Sequence, residues 1–141
     1  MESTQLIGRA KELEIAGQLI REGLLVFFPL VDLGADLVVA APSMRRFLPV
    51  QVKYRKHDPA LGLDKPHIGR MENTNLVLAF IIGADSETHT WYIPLHDFHQ
   101  KVQDLRRRDK KVYITIGQNT EWLNQYEGKR GIMRLKKELK P

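Results

Sequence analysis

A chain of 141 residues has the size of one domain, and its 43% hydrophobic and 28% charged content is a globular balance that excludes a disordered or linker-dominated polypeptide. Lys and Arg number 22 against 17 Asp and Glu, a net charge of +5 that suits a polyanionic partner. The absence of Cys excludes a disulfide scaffold, thiolate metal clusters and cysteine catalysis.

In chain order, Ser3 or Thr4 caps a predicted helix that runs to about Glu22, with Gly23 as its stop. Leu6, Ala10, Leu13, Ala16 and Ile20 recur at helical spacing and are expected to form its buried stripe. Leu24 to Phe28 reads as a short strand closed by Pro29, and Asp36 to Ala41 as a second. A turn over Pro42 to Arg46 leads into a third, Phe47 to Arg55. In this strand Leu48, Val50, Val52 and Tyr54 point one way, and Gln51, Lys53 and Arg55 the other.

Asp58 to Asn73 reads as loop, with a short helix near Pro66 to Glu72. Asn75 to Ile82 lacks polar alternation and is predicted as a strand buried on both faces. The longest apolar run, Leu76 to Ile82, is too short to cross a bilayer. A strand at His89 to Ile93, a helix from about Leu95 to Arg108 and a strand at Val112 to Ile116 follow. The tail from Thr120 is expected to be helical, broken at Gly128 and Gly131. The expectation is one domain over residues 1–141, with a core at about 5–116 and a basic helical tail at about 120–141. Its fold class is a three-layer α/β/α sandwich around a mixed β-sheet. The opening Met1-Glu-Ser-Thr-Gln has no basic and apolar signal pattern, so a cytoplasmic protein without a membrane partner is expected.

Four side chains stand out for chemistry. At about 100° per residue, Glu12 falls between Ala16 and Leu19, on the border of the apolar stripe, where a carboxylate needs a compensating partner. Arg9, one turn earlier, is the simplest such partner; a phosphate is another target for that guanidinium. Asp36 opens the second strand, and Gln51 and Lys53 share one face of the third. If those strands form a hairpin, an acid, an amide oxygen and an amine converge, and Glu12 from the packed helix completes a set with the composition of a divalent-metal site. Mg²⁺ prefers oxygen ligands, accepts one or two carboxylates and keeps several waters. A neighbouring Lys suits phosphate chemistry.

Gly8-Arg-Ala-Lys-Glu12, then Gly34-Ala35-Asp36-Leu37-Val38-Val39, then Val50-Gln51-Val52-Lys53 together resemble the first helix and the two signature strands of PD-(D/E)XK endonuclease-like proteins. The resemblance spans roughly residues 5–56. It implies a restriction-endonuclease-like fold and Mg²⁺-dependent hydrolysis of DNA phosphodiesters, with Mn²⁺ as a substitute. By the same resemblance Asp36 bridges the metal and Gln51 takes the position usually held by Asp or Glu. Lys53 is the motif lysine, Glu12 the helix-one acid, and the Val52 carbonyl supplies a further oxygen. Two departures are visible. Pro29 lies seven residues before Asp36 rather than beside it, and Gln51 is neutral. Resolvase-like and homing-endonuclease-like members resemble this chain in using Gln there, at a cost in metal affinity.

Basic residues gather three times: Arg45, Arg46, Lys53, Arg55 and Lys56 around the expected site, a second group at Lys101 to Lys111, and a third at Lys129 to Lys140. Arg9, Arg45, Arg46, Arg55 and Lys56 are the expected DNA contacts, since Lys and Arg on phosphates give affinity without sequence choice. His57, His67, His96 and His99 read as surface histidines rather than zinc ligands, and Trp91, Tyr92, Tyr113, Trp122 and Tyr126 as core or interface residues. A chain this short is expected to act as a homodimer that presents two sites to two strands. Two competing readings remain: a catalytically weak or inactive nucleic-acid-binding protein that keeps the fold, and a structural protein whose polar quartet is a salt-bridge network.

Overall fold

The computed structural model describes residues 3–31, 34–64, 71, 74–84, 87–103, 111–117 and 120–140. Helix α1 spans Thr4–Arg21, and strands β1, β2 and β3 follow at Leu25–Phe27, Leu37–Ala40 and Phe47–Arg55. Next come β4 (Ala60–Asp64), β5 (Val77–Ala84), β6 (Glu87–Pro94), α2 (Leu95–Gln103) and β7 (Lys111–Thr115). A 3₁₀ segment at Glu121–Tyr126 and helix α3 at Gly128–Leu139 close the fold. Among the described residues no helix is long and apolar enough to cross a membrane.

Five strands form one mixed sheet in the order β1-β2-β3-β5-β6. The pair β3–β5 is parallel and the remaining pairs are antiparallel. Helices α1 and α3 cover one face, where Ile15, Leu19, Val39, Val50, Ala79, Tyr92, Ile132 and Leu135 pack together. On the other face α2, the 3₁₀ segment and the two-stranded β4–β7 sheet close over Leu78, Phe80, Trp91, Ile93 and Phe98. This is the expected three-layer arrangement. The central strand β5 is buried from Val77 to Ile81, so both of its faces are apolar and polar alternation is lost.

The α1 boundaries follow their local signals. The Ile7 N–H bonds the Ser3 carbonyl, and Gly23 at φ +89° turns the chain so that the Leu24 N–H returns to the Leu19 carbonyl. The expected buried stripe is incorrect at every position but Ala16. Ile15, Ala16 and Leu19 are buried, whereas Leu6, Ala10, Leu13 and Ile20 lie on the outer side. Helix α1 carries two apolar stripes, and only packing onto the sheet decides which one is covered.

Two further expectations change. Ala60–Asp64, read as loop, pairs with β7, because Leu61 and Leu63 alternate inward against Ile114 and complete the second core. Helix α3 is not broken at Gly131, where the missing side chain allows close approach: a Cβ there would lie 2.2 Å from the Tyr126 carbonyl oxygen. The expected helix at 66–72 and the extension of α2 to Arg108 fall largely outside the described residues, as do the basic residues Arg106 to Lys110.

Candidate active site

The site arises where two paired strands separate. β2 and β3 are in antiparallel register from Ala40↔Phe47 to Leu37↔Val50. One residue further, Asp36 stands opposite Gln51. The Asp36 N–H donates to the Val50 carbonyl at 2.8 Å, and its carboxylate Oδ2 accepts the Val52 N–H at 2.8 Å. Beyond that point β3 continues to Arg55 paired, among the described residues, with β5 alone, and its residues Val52 to Arg55 border a cleft. Within a strand the N–H and C=O of one residue point to the same side. The Val52 carbonyl therefore faces the same edge of β3 as the Asp36 carboxylate.

The cleft beyond Asp36 has a volume of about 350 Å³ and is lined by α1 residues Thr4, Gly8, Lys11 and Glu12 and by the β3 residues Val52 to Arg55. Glu12 thus meets Val52 and Lys53 across it, and Asp36 is fastened to its rim through Val52. Glu12 Oε2 accepts from Arg9 Nη1 at 2.9 Å, the one-turn partner the sequence suggested. The Arg9 guanidinium also lies 4.3 Å from the centre of the Phe28 ring, so it is held on the outer flank of α1.

Lys11 was not among the sequence candidates. Its ammonium sits 4.6 Å over the Tyr54 ring and 3.1 Å from Glu14. Centring the α1 stripe on Ile15 and Leu19 would have revealed it, since Thr4, Gly8, Lys11 and Glu12 continue that stripe one turn at a time. The Tyr54 hydroxyl donates to the Gly83 carbonyl at 3.2 Å and anchors the end of β3 to β5. Lys11, Lys53 and Arg55 are thus among the residues that border the cleft with Glu12, and the Asp36 carboxylate is bonded to the Val52 N–H on its wall. Such a cleft attracts an anionic ligand.

Arg45 and Arg46 do not belong to this site. They lie in the β2–β3 turn at the opposite end of β3, roughly 23 Å from Lys53 at the strand rise per residue. Arg46 instead donates to the Glu138 carbonyl of α3 at 3.3 Å. A larger cavity, about 670 Å³, adjoins that far end between α2 and α3. Its polar groups engage one another or a neighbouring helix: the Tyr126 hydroxyl donates to Asp97, Arg134 stacks over Tyr126, and the Tyr92 hydroxyl donates to Gln18 at 2.7 Å. Burial, followed by the Asp97 hydrogen bond, pushes the Tyr126 hydroxyl up to about 12. Burial also raises that of Tyr92.

The donors expected from the sequence, the Asp36 and Glu12 carboxylates, the Gln51 amide oxygen and the Val52 carbonyl, are all oxygen, a set of the kind Mg²⁺ accepts. Among the described residues no three of His, Cys, Asp and Glu come together as a metal cluster.

No family model and no curated protein matches the sequence. Solved structures do match. Hjc, a Holliday junction resolvase from Archaeoglobus fulgidus, is 19% identical with a TM-score of 0.55, over 77% of this chain and 84% of that one. The bacterial homing endonuclease I-Ssp6803I is 17% identical with a TM-score of 0.57, over 99% of this chain and 100% of that one. The five-stranded mixed sheet and its covering helices thus form the restriction-endonuclease-like fold of PD-(D/E)XK nucleases, the architecture expected from the two signature strands.

Proposed function

We propose that the whole chain acts as one Mg²⁺-dependent DNA endonuclease unit. Asp36, Glu12, the Gln51 amide oxygen and the Val52 carbonyl would hold the cation, and Mn²⁺ would substitute for it. When bound, the cation supplies Lewis-acid polarisation of the scissile phosphate and an acidified water. The observation that carries this reading is the Asp36–Val52 hydrogen bond at the point where β2 and β3 part, with Glu12 and Lys53 on the cleft directly beyond.

Lys53 projects on the Gln51 side of β3, where its ammonium orients the phosphate and offsets the charge that develops on it during hydrolysis. Arg55 and Lys56, exposed at the end of β3, hold the flanking backbone by charge alone. Arg9 steadies Glu12 and neutralises it while no cation is present. Two copies acting together would present two such clefts to two strands, in the DNA-containing cytoplasm.

The test is nicking of supercoiled plasmid and of branched DNA in Mg²⁺ or Mn²⁺ by the wild type, Asp36→Ala and Lys53→Ala. Cleavage lost in both variants with DNA binding retained supports the enzyme. DNA binding by the wild type without cleavage in either metal supports the second reading, a non-catalytic binding protein on the same fold. That reading draws on the neutral Gln51 and on the Arg9–Glu12 ion pair.

A further inference from the structure

Among the described residues the α1 face turned away from the sheet has no partner that would explain its composition. Leu6, Leu13 and Ile20 are 72%, 52% and 56% exposed. With Ala10 and Gly17 they recur at spacings of four, three, four and three residues, the seam pattern of two helices packed along their length. Gly17 is the second observation. A helix interior disfavours glycine more than any residue except proline, and nothing here requires one. The backbone at Gly17 is helical, and a Cβ added there would meet only the tip of Arg21, at 3.8 Å. A glycine that serves no purpose inside the monomer, at the centre of an exposed apolar seam, suits close approach of a second backbone.

We infer that α1 packs antiparallel against α1 of a second copy of this chain, crossing at Gly17. Charge selects the occupant and its direction. Glu14 and Arg21 lie on the same flank of the seam, one position beyond Leu13 and Ile20. An antiparallel pair centred on Gly17 sets Glu14 of each copy against Arg21 of the other, while Leu13 and Ile20 meet across the two-fold axis. A parallel pair would need Arg9 for Glu14, and Arg9 is turned aside, bonded to Glu12 and stacked on Phe28, whereas the Glu14 carboxylate, paired with Lys11 at 3.1 Å, still has half of its surface open to a second cation. The seam exposes on the order of 400 Å² of apolar surface per copy, within the range of functional patches. The exposed run Phe28 to Val31 extends it past Arg9. With the flanking charges, two such faces approach about 1,200 Å², the lower bound for a specific interface. The dimer is therefore concentration-dependent. This inference names the surface of the homodimer proposed above, and its tests read association without reference to cleavage.

The chain has no Cys, so single-cysteine variants report contact cleanly. Under mild oxidation Gly17→Cys is expected to form a disulfide-linked dimer, because a glycine crossing brings the backbones within the roughly 7 Å that a disulfide spans. Leu6→Cys should not cross-link, since antiparallel helices crossing at Gly17 hold the two copies of residue 6 about 33 Å apart. In sedimentation the wild type should dimerise, and Leu13→Glu and Gly17→Leu should each weaken association at least about tenfold. Circular dichroism should show both variants folded. Glu14→Arg and Arg21→Glu should each weaken the dimer, and the double exchange should restore it. A wild type that stays monomeric at high micromolar concentration overturns the inference, as does a dimer indifferent to Leu13→Glu and Gly17→Leu. Failure of Gly17→Cys to cross-link overturns it too, and cross-linking through Leu6→Cys overturns the antiparallel arrangement. Each outcome stands whether or not the protein cleaves DNA.

Discussion

Asp36 has a structural task and, in the proposed function, a chemical one, and two substitutions separate them. Its carboxylate accepts the Val52 N–H at 2.8 Å in a half-buried position. Asp36→Ala removes that acceptor and leaves the amide without it, which costs about 2 kcal/mol for a hydrogen bond to a charged group. For a chain of this length that corresponds to a fall of about 4–8 °C in melting temperature. Asp36→Asn keeps an oxygen of the same size that can accept the Val52 N–H, so its cost should stay below about 1 kcal/mol. The proposed chemistry makes no such distinction. Both variants lose the charge that would hold a divalent cation, so both should lose cleavage by at least about a hundredfold. The assays are thermal unfolding by circular dichroism and plasmid nicking in Mn²⁺. An Asp36→Asn protein that melts like the wild type and cleaves like it would refute the metal-binding role and leave Asp36 as a strand-end hydrogen-bond acceptor.

Arg46→Ala should leave DNA affinity unchanged at a given salt concentration, because that side chain bonds α3 at the far end of β3, whereas Arg55→Ala should weaken binding and flatten its salt dependence. Binding by fluorescence anisotropy across a salt series checks both. Phe80→Ala, at a fully buried position beside Trp91, should cost about 3–5 kcal/mol in a urea titration. Tyr126 makes stability fall with alkaline pH. Its hydroxyl is held protonated to about pH 12 in the folded state, whereas an unfolded tyrosine ionises near 10. The unfolded chain therefore binds fewer protons in that window, and stability present below pH 10 is lost as the pH rises towards 12. Tyr126→Phe should flatten that part of the profile, measured as the urea midpoint against pH.

Much of this protein follows from local pattern. The span of β3 and the inward set Leu48, Val50, Val52 and Tyr54 follow from alternation at the strand period, and the end of α1 from Gly23. The unbroken apolar run at β5 marked a strand covered on both faces. The neighbours of the candidate site, Asp36 beside Val52 and Gln51, follow from one hairpin register, and a hairpin is a local structure. Other features depend on partners remote in sequence. Helix α1 has two stripes of similar hydropathy, and periodicity does not rank them; contact with the sheet chose Ile15 and Leu19, brought Lys11 over Tyr54, and left Leu6, Leu13 and Ile20 outside. β4 has little polar alternation to mark it, and becomes a strand because β7, about fifty residues later, supplies its hydrogen bonds. Arg45 and Arg46 are close to Lys53 in sequence but distant in space, since an extended strand separates its ends by its full length. Short-range periodicity was enough to assign most elements and to bring Asp36 to β3. Which helical face is covered, which charges share a cleft and which loop becomes a strand were decided only when the layers closed, because burial energy depends on the surface an element meets rather than on its own composition.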